Sequence, residues 1–277
     1  MQRLPMIIDF HTHCFPDALA PHAVDAMLSA AKDCPRSAGF EVKYDGTLSE
    51  LLRIAHEGGA DYVVQMSVAT TPHHQYKVNQ FALQVNARSD AFAFGSVHGA
   101  ASDSLEELER LYDAGIPGIK LHFDEQGINM DDKRWFPVYD LISDLGLPCT
   151  VHTGFDPFSP NHLHASPEKV MKIHTLFPRL RLILAHLGGL LEWEGGETLA
   201  GKGMMMDTAM VSVGLPPETA ARIIRKNGAE NVLMGSDMPW ATTKEAVDYI
   251  QSLPLTDREK ELIMGENAAR LLGIEQL

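Results

Sequence analysis

With 277 residues, 45% of them hydrophobic and 22% charged, the chain has an ordinary globular composition and enough apolar residues for a large core. Its net charge of -14 argues against partners held through charge, so neither nucleic acid nor an anionic membrane is expected. No stretch approaches the ~20 apolar residues of a membrane span, the N-terminal residues lack the apolar region of a signal peptide, and Cys14, Cys34 and Cys149 are too scattered for a disulfide framework or a metal clip; a reduced, cytoplasmic protein is expected.

The first predicted strand begins with the apolar run 6–8 and continues into Asp9-Phe10-His11-Thr12-His13. Side chains alternate along a strand, so the spacing puts His11 and His13 on one side. A helix over 21–32 follows, with Pro21 at its start, and then a long loop over 34–45 with a short strand at 40–44. Thr47 opens a helix whose apolar stripe, Leu48, Leu51, Leu52 and Ala55, stops at Gly58-Gly59. From there strand and helix alternate. Strands are predicted at 61–68, 92–97, 118–122, 148–152, 180–186, 203–208 and 231–236. Helices are predicted at 75–88, 104–114, 134–145, 167–177, 217–227, 244–253 and 257–272, with 190–201 less regular. Ser104 and Glu107 have the spacing of a capping box.

The strands are short and apolar on both faces, as parallel strands covered by helices are. Eight such units in one chain predict a single-domain (β/α)8 barrel spanning 1–277. The alternative, an open doubly wound sheet, lacks its usual Gly-x-Gly-x-x-Gly turn.

In a barrel, chemistry collects at the C-terminal strand ends. Those ends carry His11 and His13, Lys120 and His122, His152, His186, Asp207 and Asp237. Burying such groups together without a cation would leave polar atoms unpaired. Three histidines with one carboxylate suit a divalent ion such as zinc, with manganese and iron as alternatives. Asp207 has the position either of a group that hydrogen-bonds a ligand histidine or, equally, of a plain structural carboxylate. Cys14 lacks a designated base, and Trp193 and Trp240 sit in mouth loops where packing is the expected role. His73, His74, His162 and His164 fall in loops and are expected to be solvated, the last two within reach of the mouth.

The ordered set Asp9-Phe-His-Thr-His13, Gly118-Ile-Lys-Leu-His122, Val151-His-Thr-Gly154, Ala185-His-Leu-Gly-Gly189 and Gly235-Ser-Asp-Met-Pro239 resembles the metal-dependent amidohydrolase superfamily. The resemblance is to the amidohydrolase 2 branch, which also holds decarboxylases such as aminocarboxymuconate-semialdehyde decarboxylase, and it covers essentially the whole chain. It implies one divalent ion bound by His11, His13 and His152, with Asp237 binding or flanking it and handling a proton. His186 would act beside the ion as a catalytic group. Lys120 would be either carboxylated, bridging a second ion, or free and paired with a substrate anion, with His122 one pleat beyond. A homodimer is also implied.

Two activities follow for a small-molecule substrate. The first expectation is hydrolysis, with metal-activated water attacking the carbonyl of an amide, lactone or ester. The alternative is non-oxidative decarboxylation of a small aromatic or unsaturated acid, for which Arg36 and Arg53 are the only candidate anchors near the first loop. A non-catalytic metal binder is the reading from another class, and it leaves the open coordination position unexplained.

Overall fold

Eight strands alternate with helices through the computed structural model, which describes residues 6–37 and 39–274. They are β1 (Ile8–Thr12), β2 (Tyr62–Met66), β3 (Ala91–Phe94), β4 (Ile119–Leu121), β5 (Pro148–Val151), β6 (Arg181–Leu184), β7 (Met205–Asp207) and β8 (Val232–Leu233). Neighbours pair in parallel as β1-β2-β3 and β4 through β8. Two seams close the ring. Gly95 N donates to Gly118 O and Lys120 N to Gly95 O, joining β3 to β4. Phe10 N donates to Met234 O and Asp237 N to His11 O, joining β1 to β8. The result is the (β/α)8 barrel that the strand count predicts. Among the described residues no helix is long and apolar enough to cross a membrane.

Ile8, Phe10, Val64, Phe94, Ile183 and Leu233 come from strands on different sides and meet in one apolar cluster inside the ring. Phe10 and Phe94 pack edge to face at 5.5 Å. The opposite strand faces, with Val63, Ile119, Cys149, Leu182 and Val232, join the larger cluster under the helices. Strict alternation from Ile8 and Phe10 would turn His11 outward with Asp9, whose carboxylate reaches the hydroxyl of Thr243 at 2.6 Å. The β1-β2 register shifts between Asp9 and Thr12, and this bulge turns His11 back into the ring.

Several predicted elements are corrected. The first strand is Ile8–Thr12 rather than the run 6–8, so His11 lies within it. No strand forms at 40–44; that segment is held by Lys43 N donating to Pro239 O and by the Phe15–Thr47 bridge. The capping box at Ser104 is absent. Asp103 holds the cap position, and Glu107 turns inward to Asn79 (2.7 Å) and Arg110 (2.7 Å). The irregular segment 190–201 contains a helix, Trp193–Leu199, whose Gly196 lies so close to Leu187 O that a Cβ would sit 2.2 Å from it. The last helix is interrupted by a π turn at Leu262–Glu266, where Gly265 lets the chain pass Met6 O.

Candidate active site

His11 is fixed by one hydrogen bond and emptied by another constraint. Its Nδ1 lies 2.8 Å from Asp207 Oδ2 at the end of β7. Asp207 Oδ1 accepts from His186 N and Ala209 N, each at 3.0 Å. Burial would push the Asp207 carboxyl up, but the adjacent His11 and these donors hold it below the usual carboxylate range. Burial, and then the nearby Lys120, lowers His11 to about 4. At neutral pH its one ring hydrogen therefore sits on Nδ1, facing Asp207, and Nε2 presents a bare lone pair.

His13 is set the same way by the backbone. Its Nδ1 lies 2.9 Å from Met66 O at the end of β2, and a carbonyl can only accept, so neutral His13 also presents Nε2 as a lone pair. Tyr44 donates its hydroxyl hydrogen to His13 O, tying the long first loop to this position. Both Nε2 atoms converge on Asp237 Oδ1, at 3.5 Å from His11 and 3.2 Å from His13. Burial would raise the Asp237 carboxyl, but His11, His13 and His186 together hold it well below the usual range. With both rings neutral, two imidazole lone pairs and an anionic oxygen face one another, with Lys120 Nζ beside them as the one described cation, so a bound divalent ion would satisfy all three. The donor set therefore fits a divalent ion, and each histidine is oriented from its far nitrogen as metal-bound histidines are.

Asp237 and His186 both sit in the left-handed backbone region, at φ 64° and 60°. Such strain in residues other than glycine costs on the order of 1–3 kcal/mol each and collects at functional sites. Asp237 is pinned there by its amide on His11 O at 2.8 Å.

His152, expected as a third ligand, is not gathered with that corner. It belongs to a second group, with His122 and Asp156, that also brings together enough donors for an ion. The two rings stack at 4.2 Å and 13°. Hydrogen placement separates the two groups. His122 caps the helix Phe123–Gln126 by accepting Glu125 N on Nδ1 at 3.4 Å. Its ring hydrogen is therefore on Nε2, pointing toward Asp156 Oδ2 (3.5 Å) and Glu125 Oε1 (3.7 Å). That group carries a ring hydrogen facing its carboxylates, whereas in the corner of His11, His13 and Asp237 the rings turn lone pairs inward and the one described donor is Lys120 Nζ, 3.2 Å from His11 Nε2.

His152 and His186 form a chain between two carbonyls. His152 Nε2 is 3.3 Å from Phe155 O, His152 Nδ1 is 3.0 Å from His186 Nε2, and His186 Nδ1 is 2.8 Å from Ala209 O. Carbonyls only accept, so these three bonds need three hydrogens on four ring nitrogens, one more than two neutral rings carry. Burial, and then the neighbouring His122, His186 and Lys120, holds His152 well below the usual imidazole range, which opposes that third hydrogen; His186 Nδ1 lies 3.9 Å from Asp237 Oδ2.

Beyond His122 lie carboxylates that sequence reading passed over: Asp124, Glu125 and Asp156, each raised to about 7, chiefly by burial. The available signal was their placement two or three residues after His122 and four after His152, in the loops that follow β4 and β5. Asp124 Oδ1 lies 3.0 Å from His164 Nδ1, while its Oδ2 is buried without a partner among the described residues. A carboxyl raised from 3.8 in the unfolded chain to about 7 in the fold makes ionisation destabilising. The cost is absent below pH 3.8, grows up to about 7 and is complete above it. Asp124→Asn is therefore expected to stabilise the protein by about 1–3 kcal/mol at pH 8 and by nothing below pH ~4. Urea denaturation across that range checks it, and a pH-independent difference would contradict it.

Lys120 is fully buried, with Nζ 3.2 Å from His11 Nε2; burial holds its amine below the ordinary lysine range. Cys14 is buried, burial pushes its thiol up, and no histidine approaches it as a base among the described contacts. Trp240 packs on Phe40 at 5.7 Å and lines an open groove of about 540 Å³ with Lys43, Val213 and Tyr249, which none of the ion-corner residues borders. Trp193 is partly buried against the outer core. His73, His74 and His162 are exposed as expected. Arg36 lies over the Phe155 ring at 4.4 Å and pairs with Glu192 at 2.8 Å, while Arg53 is committed to Glu50 and Glu57 on its own helix.

The amidohydrolase family model matches residues 8–274. Among curated proteins, 2-amino-3-carboxymuconate-6-semialdehyde decarboxylase of Dictyostelium discoideum is 22% identical over 209 residues, 62% of this chain. The match covers 58% of that relative's length. Among solved structures, an uncharacterized TIM-barrel protein of Bordetella bronchiseptica is 22% identical, with TM-score 0.77 over 97% of this chain and 98% of that one. A dihydroxybenzoic acid decarboxylase of Polaromonas, solved with bound manganese and the inhibitor 2-nitroresorcinol, is 15% identical. Its TM-score is 0.72 over 99% of this chain and 98% of that one. At these identities the structural likenesses speak to the fold.

Proposed function

The chain belongs to the amidohydrolase family, and on that premise we propose that it is a metal-dependent, non-oxidative decarboxylase of a small aromatic or unsaturated carboxylic acid. The observation that carries the reading is the corner of His11, His13 and Asp237, in a chain whose curated relative is a decarboxylase. His11 and His13 through Nε2, and Asp237 through Oδ1, would hold the ion. Zinc suits these donors, and manganese or iron also accepts them. When bound, the ion polarises a substrate oxygen and stabilises negative charge next to the carbon that loses carbon dioxide.

The chain's own residues supply orientation and a proton. Asp207 holds His11 with Nε2 forward, and Met66 O does the same for His13. As the carbon–carbon bond to the carboxyl group breaks, a carbon–hydrogen bond forms and carbon dioxide leaves, so one proton is consumed. His186, 3.0 Å from His152 Nδ1 through its Nε2 and lying beside Asp237, would pass that proton to the substrate carbon. Burial of these groups keeps bulk water away from the exchange.

Hydrolysis, the activity expected first from the sequence, keeps one observation in its favour. Asp237 is held ionised and could accept a proton from an attacking water. The deciding experiment incubates the metal-loaded protein with hydroxybenzoates, unsaturated diacids, lactones and amides in oxygen-18 water. Carbon dioxide release without solvent oxygen in the product is expected; solvent oxygen in a cleaved product without carbon dioxide would return the chain to hydrolysis. Asp207→Asn, which removes the charge behind His11, is expected to weaken zinc or manganese binding ~10–100-fold in a competitive chelator titration. Unchanged affinity would remove Asp207 from the site.

A further inference from the structure

Lys120 projects from β4 into the ring with its side chain fully buried, and its one described side-chain partner is His11 Nε2 at 3.2 Å. No carboxylate pairs with its Nζ among the described residues. This hydrogen bond uses the same lone pair that the ion would take, because His11 Nδ1 carries the ring hydrogen toward Asp207. An ion bound at His11 therefore takes away the one acceptor that Lys120 has among the described residues. A buried donor left without an acceptor is costly, so a replacement must enter with the ion or with the substrate.

The nearby carboxylates face elsewhere. Asp207 already accepts from His11, His186 and Ala209, and Asp237 Oδ1 is directed at the two Nε2 atoms. We propose that Lys120 is the substrate's oxyanion anchor: it donates to the substrate oxygen that the ion polarises, the ring oxygen beside the departing carboxyl group. A donor fixed on that oxygen beside the ion holds it as the phenolate, the electron-rich form that takes up a proton at the neighbouring carbon. A donor on the carboxyl group itself would stabilise the bound acid instead, because the charge there disappears as carbon dioxide leaves. The inference rests on the ion site and reaction proposed above, and assigns within them the residue that reads an oxygen substituent on the substrate.

The test uses manganese alone, and then 2-nitroresorcinol, whose visible absorbance separates phenol from phenolate. In the wild-type, manganese-loaded protein the probe is expected to bind as the phenolate. Lys120→Met is expected to bind manganese at least as tightly as wild type, since the competitor for His11 Nε2 is gone. The same variant should raise the bound probe's pKa by about one pH unit and weaken its binding about tenfold. Lys120→Gln, a neutral donor, should fall between the two and serves if the Met variant does not fold. Unchanged probe binding and absorbance in both variants would overturn the anchor. Loss of manganese from Lys120→Met would also overturn it, because Lys120 would then be holding the ion itself; both results leave the His11, His13 and Asp237 site standing. A wild-type protein that binds no divalent ion would overturn the site and the anchor together.

Discussion

Asp237→Asn is expected to bind zinc or manganese at least ~100-fold more weakly and to lose activity by on the order of 10³-fold. Asn is one of the few residues that tolerate a backbone φ of 64°, and it keeps one oxygen in place, so the change isolates the carboxylate charge. That charge is what the two bare Nε2 atoms at 3.2 and 3.5 Å require beside them to hold a cation. Metal analysis of the purified variant and thermal melting with and without added ion are the measurements. The wild-type midpoint should rise with manganese while the variant's stays put, because only a species that binds ligand is stabilised by it. A variant that keeps its ion and turns over substrate would remove Asp237 from the site.

Gly154→Ala should be the most damaging small substitution in the barrel, costing on the order of 3–5 kcal/mol. Gly154 follows His152 and Thr153 where the β5 loop meets the β6 loop, with Leu190 N donating to Thr153 O (3.0 Å) and Phe155 N donating to Leu190 O (2.8 Å). A Cβ there would lie 2.1 Å from Leu190 N and 2.5 Å from Gly189 C, and φ is +94°. Backbone, unlike a side-chain tip, cannot move aside without opening the two loops that carry His152 and His186. Gly146→Ala is the control: φ is +69°, but nothing lies within 4 Å of the added carbon, so only the conformational cost of about 1 kcal/mol applies. Thermal or urea unfolding compares them, and equal destabilisation would contradict the clash.

The sequence by itself determined the alternation of strand and helix, and with it the barrel. Apolar runs bounded by Gly, such as the stripe Leu48 to Ala55 ending at Gly58, are local patterns that tertiary contacts did not have to override. It also placed His11, His13, Lys120, His122, His152, His186 and Asp237 at one mouth, because a parallel barrel sends every C-terminal strand end the same way. Local pattern failed where another part of the chain decides the outcome. Glu107 has the spacing of a cap, yet Asn79 and Arg110 draw it inward. The helix Trp193–Leu199 runs through a Gly-Gly pair that reads as a break, and Gly196 is needed there because Leu187 O passes so close.

The site shows the same division more sharply. The i, i+2 spacing of His11 and His13 suggested a shared face by simple alternation, but the face is obtained through a bulge created by pairing with β2. Which nitrogen each ring offers is decided by Asp207 on β7 and by Met66 O on β2, both distant in sequence. Glu125 N, a neighbour in sequence but placed by the turn of a short helix, gives His122 the opposite tautomer, so two histidine groups of similar composition differ in what they can bind. Composition and spacing locate such groups; only the folded chain assigns their hydrogens, because a ring's one hydrogen goes where an acceptor meets it.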